Sequence, residues 1–120
     1  MTNPVQSLCE PTPVGIANGA SLSAAVNLSG RILCGIYMPA TWTAGGLSFQ
    51  ASEDGLTFYD VHVDGAEYTV STTAGIYAAV NSDAFLGVRH IKVRSGTSAV
   101  PVVQGALRTL LLMAGVPDVG

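Results

Sequence analysis

Few side chains of this 120-residue chain can carry catalytic chemistry, and their spacing does not match a known catalytic motif. Ser98 lies in a short loop, Gly96–Pro101, but a serine nucleophile needs a histidine base and an acid that orients the base. The two histidines, His62 and His90, fall at alternating positions of predicted strands, where a surface position is the simpler interpretation. We therefore predict that the protein is not an enzyme.

Ligands for metals and cofactors are equally sparse. The turn Glu53-Asp54-Gly55 offers a few oxygen ligands for calcium, although Asp in such turns usually makes local hydrogen bonds. Cys9 and Cys34 lack the spacing of a zinc site, and no glycine-rich phosphate loop joins a strand to a helix. The expectation is a protein without a metal or a cofactor.

The two cysteines leave two interpretations open. Cys9 and Cys34 are either reduced, packed thiols or the two ends of a disulfide, formed within one chain or between chains. Cys9 lies in a proline-rich segment that could reach a neighbouring subunit. An exposed bond of that kind would form only outside a reducing cytosol.

Three aromatic residues could bind a sugar. Trp42, Tyr37 and Tyr59 have the flat apolar faces on which carbohydrate rings stack. The structural alternative is an aromatic plug at one end of a β-sandwich, which buries the rings instead of presenting them.

The composition points to assembly more strongly than to chemistry. Charged residues make up 11% of the chain and hydrophobic residues 48%, whereas soluble domains carry about 25% charged residues. Much of the surface must therefore be weakly polar, which favours a symmetric homo-oligomer, with a trimer as the first choice. A net charge of −3 argues against nucleic acid as a partner.

The sequence predicts neither a secretion signal nor a membrane span. Its opening residues, MTNPVQSLCEPTPVG, lack the basic region and the long apolar run of a signal peptide. No apolar run reaches the 18 residues that a membrane helix needs. We expect a protein that is made in the cytoplasm and has no membrane partner.

The elements that would position these residues are β-strands. Pro4, Pro11 and Pro13 exclude a helix and predict an extended N-terminal arm over residues 1–14. Strands are then predicted over the runs 22–28, 32–38, 47–52, 58–63, 67–71, 76–80 and 88–95, in most of which apolar residues alternate with polar or small ones. Asp-Gly turns stand at 54–55 and 64–65, and a capped helical turn is predicted near 81–85. Residues 15–120 should form one all-β domain, a jelly-roll-like antiparallel β-sandwich of about eight short strands.

The last segment, 102–114, fits either a helix or a strand. Its apolar residues are too dense for a one-sided surface helix, so a strand that is apolar on both faces is preferred. One face would meet the core and the other a partner. The residues assigned to this mixed core and interface role are Leu107, Leu110, Leu111, Leu112 and Met113.

The segments LSFQASEDGLTFYDV and HIKVRSGTSAVPVVQGALRTLLLM, which span about residues 46–113, resemble small virion proteins of tailed bacteriophages and prophages. This resemblance implies a non-enzymatic structural role, such as a capsid decoration or head-fibre subunit that binds the major capsid protein or other virion proteins. The same layout is similar to carbohydrate-binding β-sandwiches, in which an A-S-x-D-G turn is frequent. The alternatives are therefore a glycan-binding or host-surface-binding module, or a neck or tail component. The expected location is the virion, after synthesis in the bacterial cytoplasm.

Overall fold

The structure, a computed structural model, describes residues 9–116 and confirms the predicted all-β fold. Its strands are β1 (Glu10–Ile16), β2 (Val26–Asn27), β3 (Ile32–Tyr37), β4 (Leu47–Ser52), β5 (Tyr59–Asp60), β6 (His62–Val63), β7 (Ala66–Glu67), β8 (Thr69–Val70), β9 (Tyr77–Ala79), β10 (His90–Ser95) and β11 (Arg108–Gly115). A short 3-10 helix, Ser82–Phe85, precedes β10. Within this part of the chain, no helix is long and apolar enough to cross a membrane.

The strands form two main antiparallel sheets. One sheet has the order β1-β11-β3-β9, and the other has the order β2-β10-β4-β5, with β8 also paired to β4. The hairpin β6-β7 interrupts the line from β5 to β8, so that β5 to β8 occupy a single strand position beside β4. Counted in this way, each sheet has four strand positions in the interleaved order of a jelly roll.

The hydrophobic core lies between the two sheets. Leu110 and Leu112 of β11 face Phe49 of β4 and Val93 of β10, and all four side chains are fully buried. Asn81 caps the 3-10 helix by accepting a hydrogen bond from the Asp83 backbone N–H. This helix carries a buried aromatic ring, Phe85, which packs edge-on against Phe49 with 5.1 Å between ring centroids. The predicted capped turn is therefore present, and its Phe85 ring belongs to the core.

A bulge in β3 changes which residues face the core. Leu33 lies opposite Ala114 and Gly35 lies opposite Met113, so Cys34 is the extra residue between them. As a result Leu33 and Ile36 both point into the core, although strict alternation would not place them on one face. Cys34 and Gly35 are left on the outer side of the sheet.

The N-terminal segment differs from the predicted arm. Residues 1–8 of the arm lie outside the described residues, but residues 10–14 belong to β1, which pairs with β11 from Glu10 to Ile16. Pro11 and Pro13 are compatible with this strand because β1 is an edge strand. Proline lacks an N–H, and alternate residues of a strand point their backbone groups to the same side, so both positions can face away from β11.

Two other predicted strands are shorter than expected. The run 22–28 retains only β2 and an isolated bridge between Leu22 and Arg94. Between them, the Ser23 hydroxyl replaces a backbone partner and accepts a hydrogen bond from Val93 N at 2.9 Å. The run 58–63 divides into β5 and β6, and its chain turns back at Asp64-Gly65, where φ is 53° and 81°. These values define the two-residue hairpin turn that the sequence predicted.

Gln104 fastens the loops at one end of the sandwich. Its side chain is fully buried, and its amide nitrogen donates to Ser95 Oγ at 2.7 Å and to the Thr43 carbonyl at 3.1 Å. Its amide oxygen accepts from Thr43 N at 2.9 Å and from Arg108 Nε at 3.1 Å. One side chain therefore joins β10, β11 and the loop before β4.

We expect Gln104→Leu to lower the free energy of unfolding by about 2 kcal/mol, because leucine leaves buried polar groups without partners. The matched control is Gln50→Leu, since the Gln50 amide is half-buried and makes only a 3.5 Å contact with Asp60. Urea denaturation of both variants measures the difference. Equal losses would contradict a special role for Gln104.

Candidate functional site

The outward side of the four-stranded sheet is an uncharged surface. Pro13, Leu111, Tyr37 and Tyr77 lie opposite one another on four adjacent strands and form one row across the sheet. A second row is formed in the same way by Pro11, Met113, Gly35 and Ala79. We call these eight residues the outer face. None of them is charged.

Large apolar side chains of the outer face are open to solvent. Tyr37 is 48% exposed, Tyr77 is 44% exposed and Leu111 is 38% exposed. The two tyrosine rings pack together with 4.5 Å between centroids. Tyr77 reaches across the sheet over Gly35, where a Cβ atom would overlap the tyrosine hydroxyl. Because Gly35 has no side chain, the Tyr77 ring can lie flat on the sheet.

The mixed role predicted for the last strand is divided between its two faces. Leu110 and Leu112 are fully buried in the protein's own core, whereas Leu111 and Met113 belong to the outer face. Leu107 lies just before β11 and is 66% exposed. Alternation in β11 therefore separates core residues from residues that a partner could contact.

The edges of the sheets are poor sites for the addition of further strands. Pro11 and Pro13 remove N–H donors from the free edge of β1. On the opposite edge, β9 has 3 residues, and the other sheet ends at β2 and β5, with 2 residues each. A partner is therefore more easily accommodated on the outer face than at an edge.

Charge is concentrated away from the outer face, around Arg94. This side chain is 8% exposed and pairs with Asp60 at 2.7 Å and with Glu67 at 3.1 Å. It also donates to Ser48 Oγ at 3.2 Å, while the Glu67 carboxylate accepts the Ser98 backbone N–H at 3.1 Å. The cluster ties β10 to β4, β5, β7 and the 96–101 loop, so part of the chain's small set of charges is used internally.

The predicted sugar-binding aromatics are separated. Trp42 is 9% exposed, belongs to the core and donates from Nε1 to the Gly45 carbonyl at 3.0 Å. Tyr37 lies on the outer face, and Tyr59 is 70% exposed on β5 of the other sheet. The structure therefore does not gather the three rings into one stacking platform, and Trp42 takes the packing role that was the structural alternative.

In the Glu53-Asp54-Gly55 turn, the Asp54 carboxylate is occupied by local hydrogen bonds. Asp54 Oδ1 accepts hydrogen bonds from Leu56 N at 2.8 Å, Thr57 N at 3.1 Å and Ser52 Oγ at 2.9 Å. The backbone hydrogen bonds lower the pKa of Asp54 to about 2. Among residues 9–116, no group of three or more His, Cys, Asp and Glu residues could hold a metal ion.

The two cysteines lie near each other beside the outer face. Cys34 Sγ donates to the Met113 carbonyl at 3.2 Å. Burial raises the pKa of Cys34 and also that of Tyr77. Both cysteines are thiols in this structure. Sequence spacing gave no sign that the two cysteines are neighbours in the fold, which follows from the pairing of both β1 and β3 with β11.

A cleft of about 590 Å³ opens at the end of the sandwich where β3 and β10 begin. Phe85 and Ile32 supply apolar walls, and Arg89, His90 and Glu53 supply polar ones. The sequence analysis did not single out these residues as a group. The cleft is also lined by Arg31, which pairs with Glu10 at 3.2 Å.

Comparison with models of known protein families finds no match. The curated proteins likewise include no significant match to the chain.

We expect Asp60→Asn to lower stability at neutral pH and to weaken its dependence on acid. The Arg94 hydrogen bond lowers the pKa of Asp60, so this carboxylate stabilises the folded state above the unfolded pKa of about 4. The contribution is lost as the pH falls through the lowered pKa. The difference in unfolding free energy between wild type and variant should therefore shrink from pH 5 towards pH 2, as measured by urea denaturation.

The control for this series is Asp83→Asn, which changes an exposed carboxylate on the 3-10 helix. Its effect should be small at every pH. A difference between wild type and Asp60→Asn that does not vary with pH would show that the ion pair with Arg94 does not stabilise the fold.

Proposed function

We propose that the protein is a non-enzymatic structural subunit that binds copies of itself through the outer face. The observation that carries this proposal is the uncharged row Pro13, Leu111, Tyr37 and Tyr77, with three large side chains open to solvent. Removing such a surface from water contributes about 25 cal/mol for each Å² of apolar area.

The outer face can form only the centre of an interface. Four strands at ~4.8 Å spacing and three residues, ~10 Å, along each strand give its eight residues a flat area of ~200 Å². Specific interfaces bury about 800 Å² on each partner, so neighbouring residues must also contribute. Leu107 and Ile76 are 66% and 42% exposed and flank the face in the chain at β11 and β9, which makes them suitable rim residues.

A second copy is the partner that fits the chemistry best. A charged partner would bury its charges against a face that offers no opposite charge, which is unfavourable. An identical face has the same shape and the same lack of charge. A two-fold arrangement would place two outer faces together, whereas the trimer expected from the sequence would place each face against a different surface of its neighbour.

The proposed setting is the virion of a tailed bacteriophage, as a capsid decoration or head-fibre subunit that also contacts the major capsid protein or other virion proteins. Three observations support it: the resemblance over residues 46–113, the 11% content of charged residues, and the jelly-roll strand order, which viral capsid domains use. The last is an analogy of fold, because one fold can serve many functions. In this role each bound subunit stabilises the assembled particle by mass action.

Binding of a glycan is the second candidate, at a different place from the one predicted. A depression of about 360 Å³ is lined by Tyr59, Asp60 and His62, and Tyr59 is 70% exposed beside it. An exposed ring next to a carboxylate is a suitable arrangement for a sugar. In a glycan-binding assay, Tyr59→Ala should abolish binding while Trp42→Phe leaves it intact. Absence of binding by the wild type would remove this candidate.

We predict that Leu111→Asp will convert an oligomer into a monomer of 12.3 kDa without unfolding it, because a carboxylate on the outer face cannot be buried unpaired. The control is Leu56→Asp, which places the same charge at a side chain that is 86% exposed and outside the face. Light scattering gives the mass of each variant, and circular dichroism reports the fold.

If Leu111→Asp fails to fold, Tyr37→Asp tests the same surface at a more exposed position. Oligomers of unchanged mass in a folded outer-face variant would overturn the proposal. A wild type that remains a 12.3 kDa monomer at all concentrations would do so as well.

A further inference from the structure

The loops at one end of the sandwich form a second uncharged surface, which we call the loop end. They are the segments 17–25, 38–46, 71–76 and 96–107. None of these segments contains Asp, Glu, Lys, Arg or His. They share one end because β1 ends opposite the start of β11, and β10 ends opposite the start of β4. The other end of the sandwich, where the cleft opens, is lined by the charged residues Arg31, Glu53 and Arg89.

Large apolar side chains are exposed on the loop end. Val100 is 68% exposed, Val103 is 56% exposed and Leu107 is 66% exposed. The torsions of a valine side chain are already restricted, so a partner that covers these residues removes little conformational freedom. The loop end is therefore a second place where association would remove apolar surface from water.

Charged side chains that contact these loops are held within the fold. Arg108 Nε donates to the Gln104 side-chain oxygen at 3.1 Å. The Glu67 carboxylate accepts the Ser98 backbone N–H at 3.1 Å and pairs with Arg94 at 3.1 Å. Both charges thus already have partners inside the molecule, and an uncharged surface can cover the loop end without leaving them unpaired.

Backbone hydrogen bonds between the loops hold the loop end in one shape. The bonds run from Gly19 N to the Gln104 carbonyl at 2.9 Å, from Gly96 N to the Gly46 carbonyl at 2.8 Å, and from Gly75 N to the Pro39 carbonyl at 2.8 Å. Because folding has already ordered these loops, a partner does not have to order them when it binds.

The loop end is continuous with the outer face. Leu107 lies over Gly15, where its Cδ1 is 3.4 Å from the position that a Cβ atom would occupy. Gly15 pairs with Thr109, and this uncharged pair follows the row that contains Pro13 and Leu111. The two surfaces point in directions about 90° apart, because side chains stand out from a sheet while end loops continue its strands.

We propose that the outer face of one copy binds the loop end of the next copy, in a closed ring of identical head-to-tail contacts. This inference rests on the proposed function, and it names the surface that lies against the outer face. Neither surface offers a charge, so neither forces the other to bury an unpaired one. Pairing of two outer faces would leave both loop ends in water, whereas a head-to-tail ring covers every copy of both surfaces.

The angle between the two surfaces sets the size of the ring. A ring of three requires contact surfaces that point about 60° apart on each copy, and a ring of four requires about 90°. The outer face and the loop end point about 90° apart, so their contact closes with about three or four copies. A ring of two is excluded, because a head-to-tail contact between two copies does not close.

Two variants that block different surfaces test this pairing. Leu111→Asp blocks the outer face and Val103→Asp blocks the loop end, so each alone should be a monomer of 12.3 kDa. In an equimolar mixture, the intact loop end of the first variant should bind the intact outer face of the second. Native mass spectrometry should then show a heterodimer with one copy of each variant. Both substitutions add a negative charge, so attraction between opposite charges cannot produce this pair.

The matched control is Leu56→Asp, which adds the same charge at a side chain that is 86% exposed in the turn after β4, outside both surfaces. It should assemble as the wild type does. Circular dichroism shows whether each variant is folded, and Val100→Asp replaces Val103→Asp if that variant does not fold.

The possible results separate this inference from the proposed function. If Val103→Asp keeps the mass of the wild-type oligomer while Leu111→Asp is a monomer, the loop end takes no part and only the inference is overturned. A mixture of folded variants that stays monomeric, or a wild type of two subunits, also overturns the inference alone. If Leu111→Asp keeps the mass of the wild-type oligomer, the outer face takes no part, and both the inference and the proposed function are overturned.

Discussion

The alternation of side chains along β11 is the constraint on which the rest of the structure depends. Leu110 and Leu112 are fully buried between the sheets, while Leu111 lies opposite Pro13 on one side and Tyr37 on the other. A shift of the register by one residue would exchange the two sets, exposing the core leucines and burying the outer ones. Because β1 and β3 both pair with β11, this register also fixes which residues form the outer face.

Polar groups in this fold serve mainly to hold the framework together. Gln104 joins the loops at one end of the sandwich, and Arg94 binds two carboxylates around β10. Only 11% of the residues are charged, and these interactions use several polar and charged side chains inside the fold. The outer surface of the four-stranded sheet is uncharged. The prolines of β1 weaken its free edge as a site for strand addition, so the broad face remains as the suitable surface for association.

The sequence predicted the fold well wherever the pattern of residues within a segment determined its local structure. Alternating apolar residues marked β3, β4 and β10, the density of apolar residues marked β11, and Asp64-Gly65 marked a hairpin turn. Prediction failed where the outcome depended on neighbours. The Ser23 hydroxyl replaces a strand hydrogen bond in the run 22–28, and β11 draws residues 10–14 of the predicted arm into a sheet. The packing of Tyr77 over Gly35 likewise requires knowledge that β9 lies beside β3, which sequence spacing does not reveal.

Burial of the outer face between copies is the central claim, and hydroxyl-radical labelling of the tyrosines at rising protein concentration tests it most directly. Tyr37 and Tyr77 are 48% and 44% exposed on the outer face, and Tyr59 is 70% exposed on the other sheet, so one sample contains both probe and control. We expect labelling of Tyr37 and Tyr77 to fall as the protein associates, while labelling of Tyr59 stays constant. Labelling of all three that is independent of concentration, or protection of Tyr59 alone, would show that the outer face is not buried between copies.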